Sequence, residues 1–159
     1  IIDIQENFKG IKAYSAGQLV AWSREIRSQI NSQNHFEHPL DPKIKGCSHV
    51  LWGGKPTQRN SIASNAVFYG DKAIDRSPCG TGTSARMAQW YAKGKLTIGD
   101  SFIHESIIGS IFKGKVEAVT RVGNLEGIIP SITGSARITG HSQLILDPED
   151  PYVKGFQVL

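Results

Sequence analysis

The sequence predicts an α+β fold, a curled and mainly antiparallel sheet around a central buried helix. Two segments carry helical periodicity, and one of them is apolar nearly all round, as a helix enclosed by a sheet should be. The other apolar runs are short, rich in Ile and Val, and broken by Gly, which reads as strand and turn. Two helices among many strands place the chain in the α+β class.

The elements follow in order. Ile1 to Ile4 reads as a first strand. Ser15 with Gln18 three residues on forms a capping box, and Leu19, Trp22, Ile26 and Ile30 recur at helical spacing behind it. Asn31 to Pro42 is polar and carries two prolines, which predicts a loop. Strands are expected over Cys47–Trp52 and Ala66–Tyr69, the second ended by Gly70-Asp71. The second helix spans Gly80 to Lys93, with Ala85, Met87, Ala88, Trp90, Tyr91 and Ala92 in its interior and Gly94 as its stop. Beyond Thr97 the pattern is strand and turn: Phe102–Ile108, Ser110–Val122, Ile128–Ile138 and Leu144–Leu146.

Composition removes several function classes. The 159 residues suffice for one compact domain or part of a larger one, and neither disulfide nor metal is needed as a staple. With 20% charged residues and 17 Gly, neither a coiled coil nor a disordered acidic tail fits. No run of 18 apolar residues exists, so no membrane helix is expected. The net charge of +4 comes from dispersed basic residues, which argues against a nucleic-acid partner. Cys47 and Cys79 are poor evidence of a disulfide and read as thiols in a reducing cytoplasm. The chain opens at Ile1 and its only Met is Met87, so it is expected to be the later part of a longer polypeptide.

One stretch carries chemistry: Asp75-Arg76-Ser77-Pro78-Cys79-Gly80-Thr81-Gly82-Thr83-Ser84-Ala85. Pro78 forbids a helix through Ser77, so the helix begins at or just after Cys79. The amides of Gly80, Thr81 and Gly82 are then unpaired at a helix start, where the dipole favours an anion. A thiol at that point is activated, because the helix start favours thiolate. Asp75 is placed to receive a cation of the same ligand. The alternative is that Cys79 is a small packing residue beside glycines. Gly80-x-Gly82-x-x-Ala85 also matches a dinucleotide fingerprint, but the buried strand that fingerprint requires is missing, since Asp75 to Pro78 precede it. No Gly-Lys-Ser/Thr ends the segment, which excludes a Walker loop. His35 and His38 lack the companions of a metal site.

Asp75 to Ala85, with Asn65-Ala66-Val67-Phe68-Tyr69 and Ser106 to Phe112, resembles the second cysteine motif of the proline racemase family and its flanks. The resemblance covers essentially the whole chain, as the C-terminal half of such an enzyme. It implies a two-lobed fold of the diaminopimelate-epimerase type, with residues 1–140 as the C-terminal catalytic lobe and 141–159 returning toward an N-terminal lobe. It further implies a cofactor-independent epimerase in which two cysteines face the substrate α-carbon from opposite sides, one removing and one delivering a proton. Cys79 would be the second cysteine. The backbone of Gly80 and Thr81 would hold the substrate carboxylate, and Asp75 the ring nitrogen. The first cysteine motif is absent here, so a missing lobe is implied as partner and this half alone is expected to be inactive. A homodimer is left open.

The implied substrate is 4-hydroxyproline. His49 lies 26 residues before Asp75, where family members can place a histidine against a substrate hydroxyl, although a half-buried strand histidine is the plain alternative. Tyr69 is the matching ring-packing residue, or else a core residue. Proline racemisation leaves such a histidine without a hydroxyl, which disfavours it. Dehydration of trans-3-hydroxyproline remains as a second reaction on this scaffold, and an inactive amino-acid-binding lobe as the reading outside enzymes. His104 and Glu105 adjoin on a strand, point to opposite faces and receive no catalytic role. His141 is read as structural.

Overall fold

In the computed structural model, which describes residues 1–157, the chain is α+β, with two α-helices and one main, mostly antiparallel sheet. Helix α1 covers Ala16–Gln33 and α2 covers Gly80–Ala92. A short hairpin joins β1 (Glu37–His38) to β2 (Asp41–Lys45). The main sheet holds β3 (His49–Gly54), β4 (Ala63–Tyr69), β5 (Ala73–Ile74), β6 (Ser101–Ser106), β7 (Ile111–Val122) and β8 (Leu125–Thr133). Its order is β3-β4-β6-β7-β8, with β5 on β4, and only the β4–β6 pair is parallel. That parallel pair is the one whose connection contains α2, because a parallel return needs a long crossover.

The capping box forms as the sequence requires: Ser15 Oγ accepts from the Gln18 amide at 3.3 Å, and Gln18 Oε1 accepts from the Ser15 amide at 3.0 Å. Leu19 is fully buried, whereas Trp22 stays half-exposed, its ring edge packed on Tyr14 at 5.0 Å. The buried polar member is Ser23, whose hydroxyl donates to the Leu19 carbonyl and accepts from the Trp52 indole at 2.8 Å.

Strand alternation sorts the β3–β4 pair into two faces. Val50, Trp52, Ala66 and Phe68 pack with Leu19 of α1. Leu51 and Val67 turn the other way and meet Cys79 at the start of α2. Further along α2, Met87 packs with Phe102 of β6 and Val116 of β7. Helix α1 therefore covers one face of β3 and β4, whereas α2 packs along β7 and β8 and lays only its start against the other face of the β3–β4 pair.

Several expectations need correction. Helix α2 is not apolar-buried all round: Thr83, Arg86 and Met87 form the buried stripe, while Ala85 and Ala92 are exposed. Ile1 to Ile4 is no strand, only an extended segment whose Ile2 bridges Trp52. The expected loop at 31–42 carries the end of α1 and the β1–β2 hairpin, where Pro42 is tolerated because two strands leave every residue on an edge. The strand expected over Ile128–Ile138 ends at Thr133, and Leu144–Leu146 has no strand partner. Those late apolar residues have no core beneath them: Leu144, Ile145 and Leu146 are exposed. Of the segment 141–159, residues 158 and 159 lie outside the described part.

Glu105 ties the 57–58 loop to β6. Its buried carboxylate accepts from the amides of Thr57 (2.8 Å) and Gln58 (3.0 Å) and from the Thr57 hydroxyl. Burial pushes its pKa up, but these hydrogen bonds outweigh burial and hold it below the usual carboxylate range. A carboxylate depressed in the native state stabilises the fold above its unfolded value and loses that contribution as the pH falls through the native one. Glu105→Gln is accordingly expected to lower the urea midpoint most at neutral pH, the gap to wild type closing in acid; a pH-independent gap would contradict the ionised carboxylate.

Candidate functional site

Cys79 is the N-cap of α2 and the only non-glycine residue with positive φ among the described residues (φ 66°, ψ 120°). An L-residue enters this region only where its surroundings impose it. The imposing contacts come from the preceding turn, from the first turn of α2 and from β4. Asp75 Oδ1 accepts from the Ser77 amide (2.9 Å) and hydroxyl (2.8 Å), and Ser77 Oγ in turn accepts from the Cys79 amide at 3.0 Å. The Pro78 carbonyl accepts from Asn65 Nδ2 at 2.8 Å and lies 3.3 Å from Thr83 Oγ1. The Cys79 carbonyl accepts from the Thr83 amide at 2.8 Å.

This backbone aims the thiol across the helix start. Sγ accepts from the Gly82 amide at 3.3 Å and stands 3.4 Å from Thr81 Oγ1. Of the three amides expected to be free, the Gly82 amide is therefore spent on the sulfur, while those of Gly80 and Thr81 make no hydrogen bond among the described residues. Gly82 also has to be small, since a Cβ there would lie 3.1 Å from Leu51 and 3.3 Å from Sγ.

The thiol opens into a cavity of about 220 Å³ lined by Ile1, His49, Leu51, Val67, Cys79, Thr81, Gly82 and Ala85. His49 reaches it because positions 49 and 51 share the strand face that meets α2. Its Nδ1 is 2.7 Å from Ser48 Oγ, and its ring stacks on Tyr69, the residue opposite it in the register, at 5.7 Å. Tyr69 is exposed beyond the cavity wall, so it bears on the site through His49. Asp75 and Gly80 also stand outside the wall. Asp75 is half-buried with Oδ1 engaged by Ser77, and Gly80 is exposed at the helix tip. Cys47 does not line the cavity; its thiol donates to the His49 carbonyl at 3.4 Å. Among the described residues no group of His, Cys, Asp and Glu could hold a metal, and no helix is long and apolar enough to cross a membrane.

Sequence reasoning missed the residues beneath the site. Asn65 lies two positions before Val67 and so shares its face, a period-2 signal that was available. His104 is fully buried with Nδ1 2.9 Å from Thr83 Oγ1; burial first, then the charge of Arg86, lowers its pKa to about 3, so it is neutral. Arg86 is itself buried and paired to Asp3 at 2.6 Å.

The site is thus a cysteine N-cap facing a cavity on a mainly antiparallel α+β sheet. The proline racemase family pattern matches residues 1–157, and the chain belongs to that family. It is 62% identical over 159 residues to a 4-hydroxyproline 2-epimerase of Spirosoma linguale and 55% identical to one of Ancylobacter novellus, covering all of this chain and 48% of each relative. A solved hydroxyproline epimerase of Agrobacterium vitis, with bound trans-4-hydroxy-L-proline, superposes with TM-score 0.73 at 34% identity over 89% of this chain and 40% of that one. A probable proline racemase of Agrobacterium radiobacter, with bound carbonate, gives TM-score 0.75 at 37% identity over 92% and 42%. The chain thus spans about half the length of the curated relatives it matches.

The strain at residue 79 is measurable. Cys79→Gly and Cys79→Ala both remove the thiol, but only glycine is at ease at this φ. Cys79→Gly is expected to be the more stable by about 1–2 kcal/mol in urea denaturation, despite its larger unfolded-state entropy. Equal stability would mean the backbone relaxes without cost.

Proposed function

We propose that this chain supplies one of two proton-transferring lobes of an epimerase that inverts the α-carbon of 4-hydroxyproline. The observation that carries the reading is Cys79 Sγ facing a cavity it shares with His49, beside the unpaired amides of Gly80 and Thr81. The names of the relatives and the ligand of the Agrobacterium vitis structure favour the same substrate class.

In this reading the substrate carboxylate sits on the Gly80 and Thr81 amides at the positive end of α2, which also stabilises the charge that builds on it when the α-proton leaves. Cys79 as thiolate takes the α-proton: the C–H bond breaks, an S–H bond forms, and the electron pair passes to the α-carbon and carboxylate. A second cysteine, on the other lobe, gives its proton to the opposite face and becomes thiolate. The two sulfurs exchange protonation states, the centre inverts, and no cofactor takes part. Asp75 receives the ring ammonium with the oxygen not held by Ser77. His49, with Nδ1 turned to Ser48, keeps Nε2 for the substrate hydroxyl, and Tyr69 supports its ring. The exposed apolar residues Leu144, Ile145, Leu146, Tyr152 and Phe156 are suited to meeting the second lobe.

Two measurements on the full-length protein follow. Cys79→Ser should fold normally and lose exchange of the substrate α-proton with deuterated solvent; retained exchange refutes the assignment. His49→Ala should collapse the preference for 4-hydroxyproline over proline, chiefly by lowering kcat/KM for the hydroxylated substrate, because a site built to pair a hydroxyl discriminates strongly against its absence. An unchanged ratio would reduce His49 to a strand histidine.

A further inference from the structure

We propose that His104 and Thr83 are positioning residues for Cys79: a buried relay from the His104 imidazole through the Thr83 hydroxyl to the Pro78 carbonyl fixes the peptide preceding Cys79, and so holds the thiol in its left-handed backbone. The inference rests on the reading of Cys79 as the proton-transferring group.

The direction of the relay follows from counting protons. Thr83 Oγ1 lies 2.9 Å from His104 Nδ1 and 3.3 Å from the Pro78 oxygen, and a hydroxyl has one proton to give. Were it given to His104, the ring proton would sit on Nε2, which is buried without a partner. An orphaned buried N–H is costly and rare, whereas an unfilled acceptor is tolerated more often. The proton therefore belongs on Nδ1, which donates to Thr83, and Thr83 donates to Pro78. Burial and the Arg86 guanidinium keep the imidazole neutral, so the ring takes no second proton at Nε2.

Thr83 then grips both peptides that flank the catalytic residue. Its hydroxyl holds the carbonyl before Cys79 and its amide holds the carbonyl after it. With Asn65 Nδ2 also on the Pro78 oxygen, that peptide plane is fixed by two donors from opposite elements, β4 and α2. Relaxing φ at Cys79 requires one of these planes to turn. His104 adds the element that is farthest in sequence: it ties β6 to the helix start, so that the sheet itself sets the position of the thiol.

Loss of the relay should displace Sγ without touching the Gly80 and Thr81 amides, and so separate kcat from KM. In the full-length protein, assayed by substrate α-proton exchange, Thr83→Val is expected to lower kcat by about ten- to a hundredfold with KM moved less than about threefold. Thr83→Ser, which keeps the hydroxyl, should stay close to wild type. His104→Asn, whose side-chain amide stands where Nδ1 stood, should retain most of kcat, while His104→Leu should fall with Thr83→Val. Should Thr83→Val not accumulate as folded protein, the His104 pair decides by the same criterion. A Thr83→Val enzyme with undiminished kcat, a Thr83→Ser loss equal to that of Thr83→Val, or KM rising in step with the loss of kcat overturns the relay. Cys79→Ser measured alongside separates the two readings: exchange that survives in it overturns the role of Cys79, whereas exchange lost there but intact in Thr83→Val overturns only the relay.

Discussion

The arrangement depends on a left-handed cysteine at the start of a helix. Were Cys79 to relax to ordinary backbone angles, its sulfur would lose the Gly82 amide and the first turn of α2 would be rebuilt. Everything around it resists that relaxation: the Asp75–Ser77 turn on the amide side, Asn65 and Thr83 on the Pro78 carbonyl, and the Thr83 amide on the Cys79 carbonyl. Glycine would be the easy residue here, and a cysteine held at this cost supports the role proposed for its sulfur.

The sheet supplies the second half of the site by simple alternation. Because β3 and β4 present Leu51 and Val67 to α2 and Val50, Trp52, Ala66 and Phe68 to α1, residue 49 falls on the α2 face and its imidazole enters the cavity. A shift of one residue in register would hand His49 to the other face and leave the thiol with an apolar wall. The parallel β4–β6 contact brings His104 beneath the same helix start. Position along each strand, rather than proximity in sequence, gathers these groups.

Much of this was legible in advance. The capping box at Ser15, the Pro78 break, the helix start at Gly80 and the strand positions of His49 and Tyr69 follow from local rules about caps, proline and period 2, and the structure has each of them. What local rules could not see lies at longer range. The burial of α2 depends on which neighbours are present to cover it, and its composition alone overstated it. Ile138 and Leu144–Leu146 have strand-like composition but no partner strand, and pairing decides strand formation as much as propensity does. His104 looked inert because its neighbours in sequence say nothing of Thr83, 21 residues away. The expectation that Gly82 would offer a free amide failed because the thiol itself takes it.

The central claim is that the helix start holds a carboxylate while the cysteine faces the α-carbon. The direct measurement is a crystal structure of the full-length protein with pyrrole-2-carboxylate, whose planar ring mimics the flattened carbanion. The account predicts its carboxylate within hydrogen-bond distance of the Gly80 and Thr81 amides and Cys79 Sγ against the carbon that bears it. A carboxylate bound away from the α2 start, or a ring turned so that Sγ meets another atom, would contradict it.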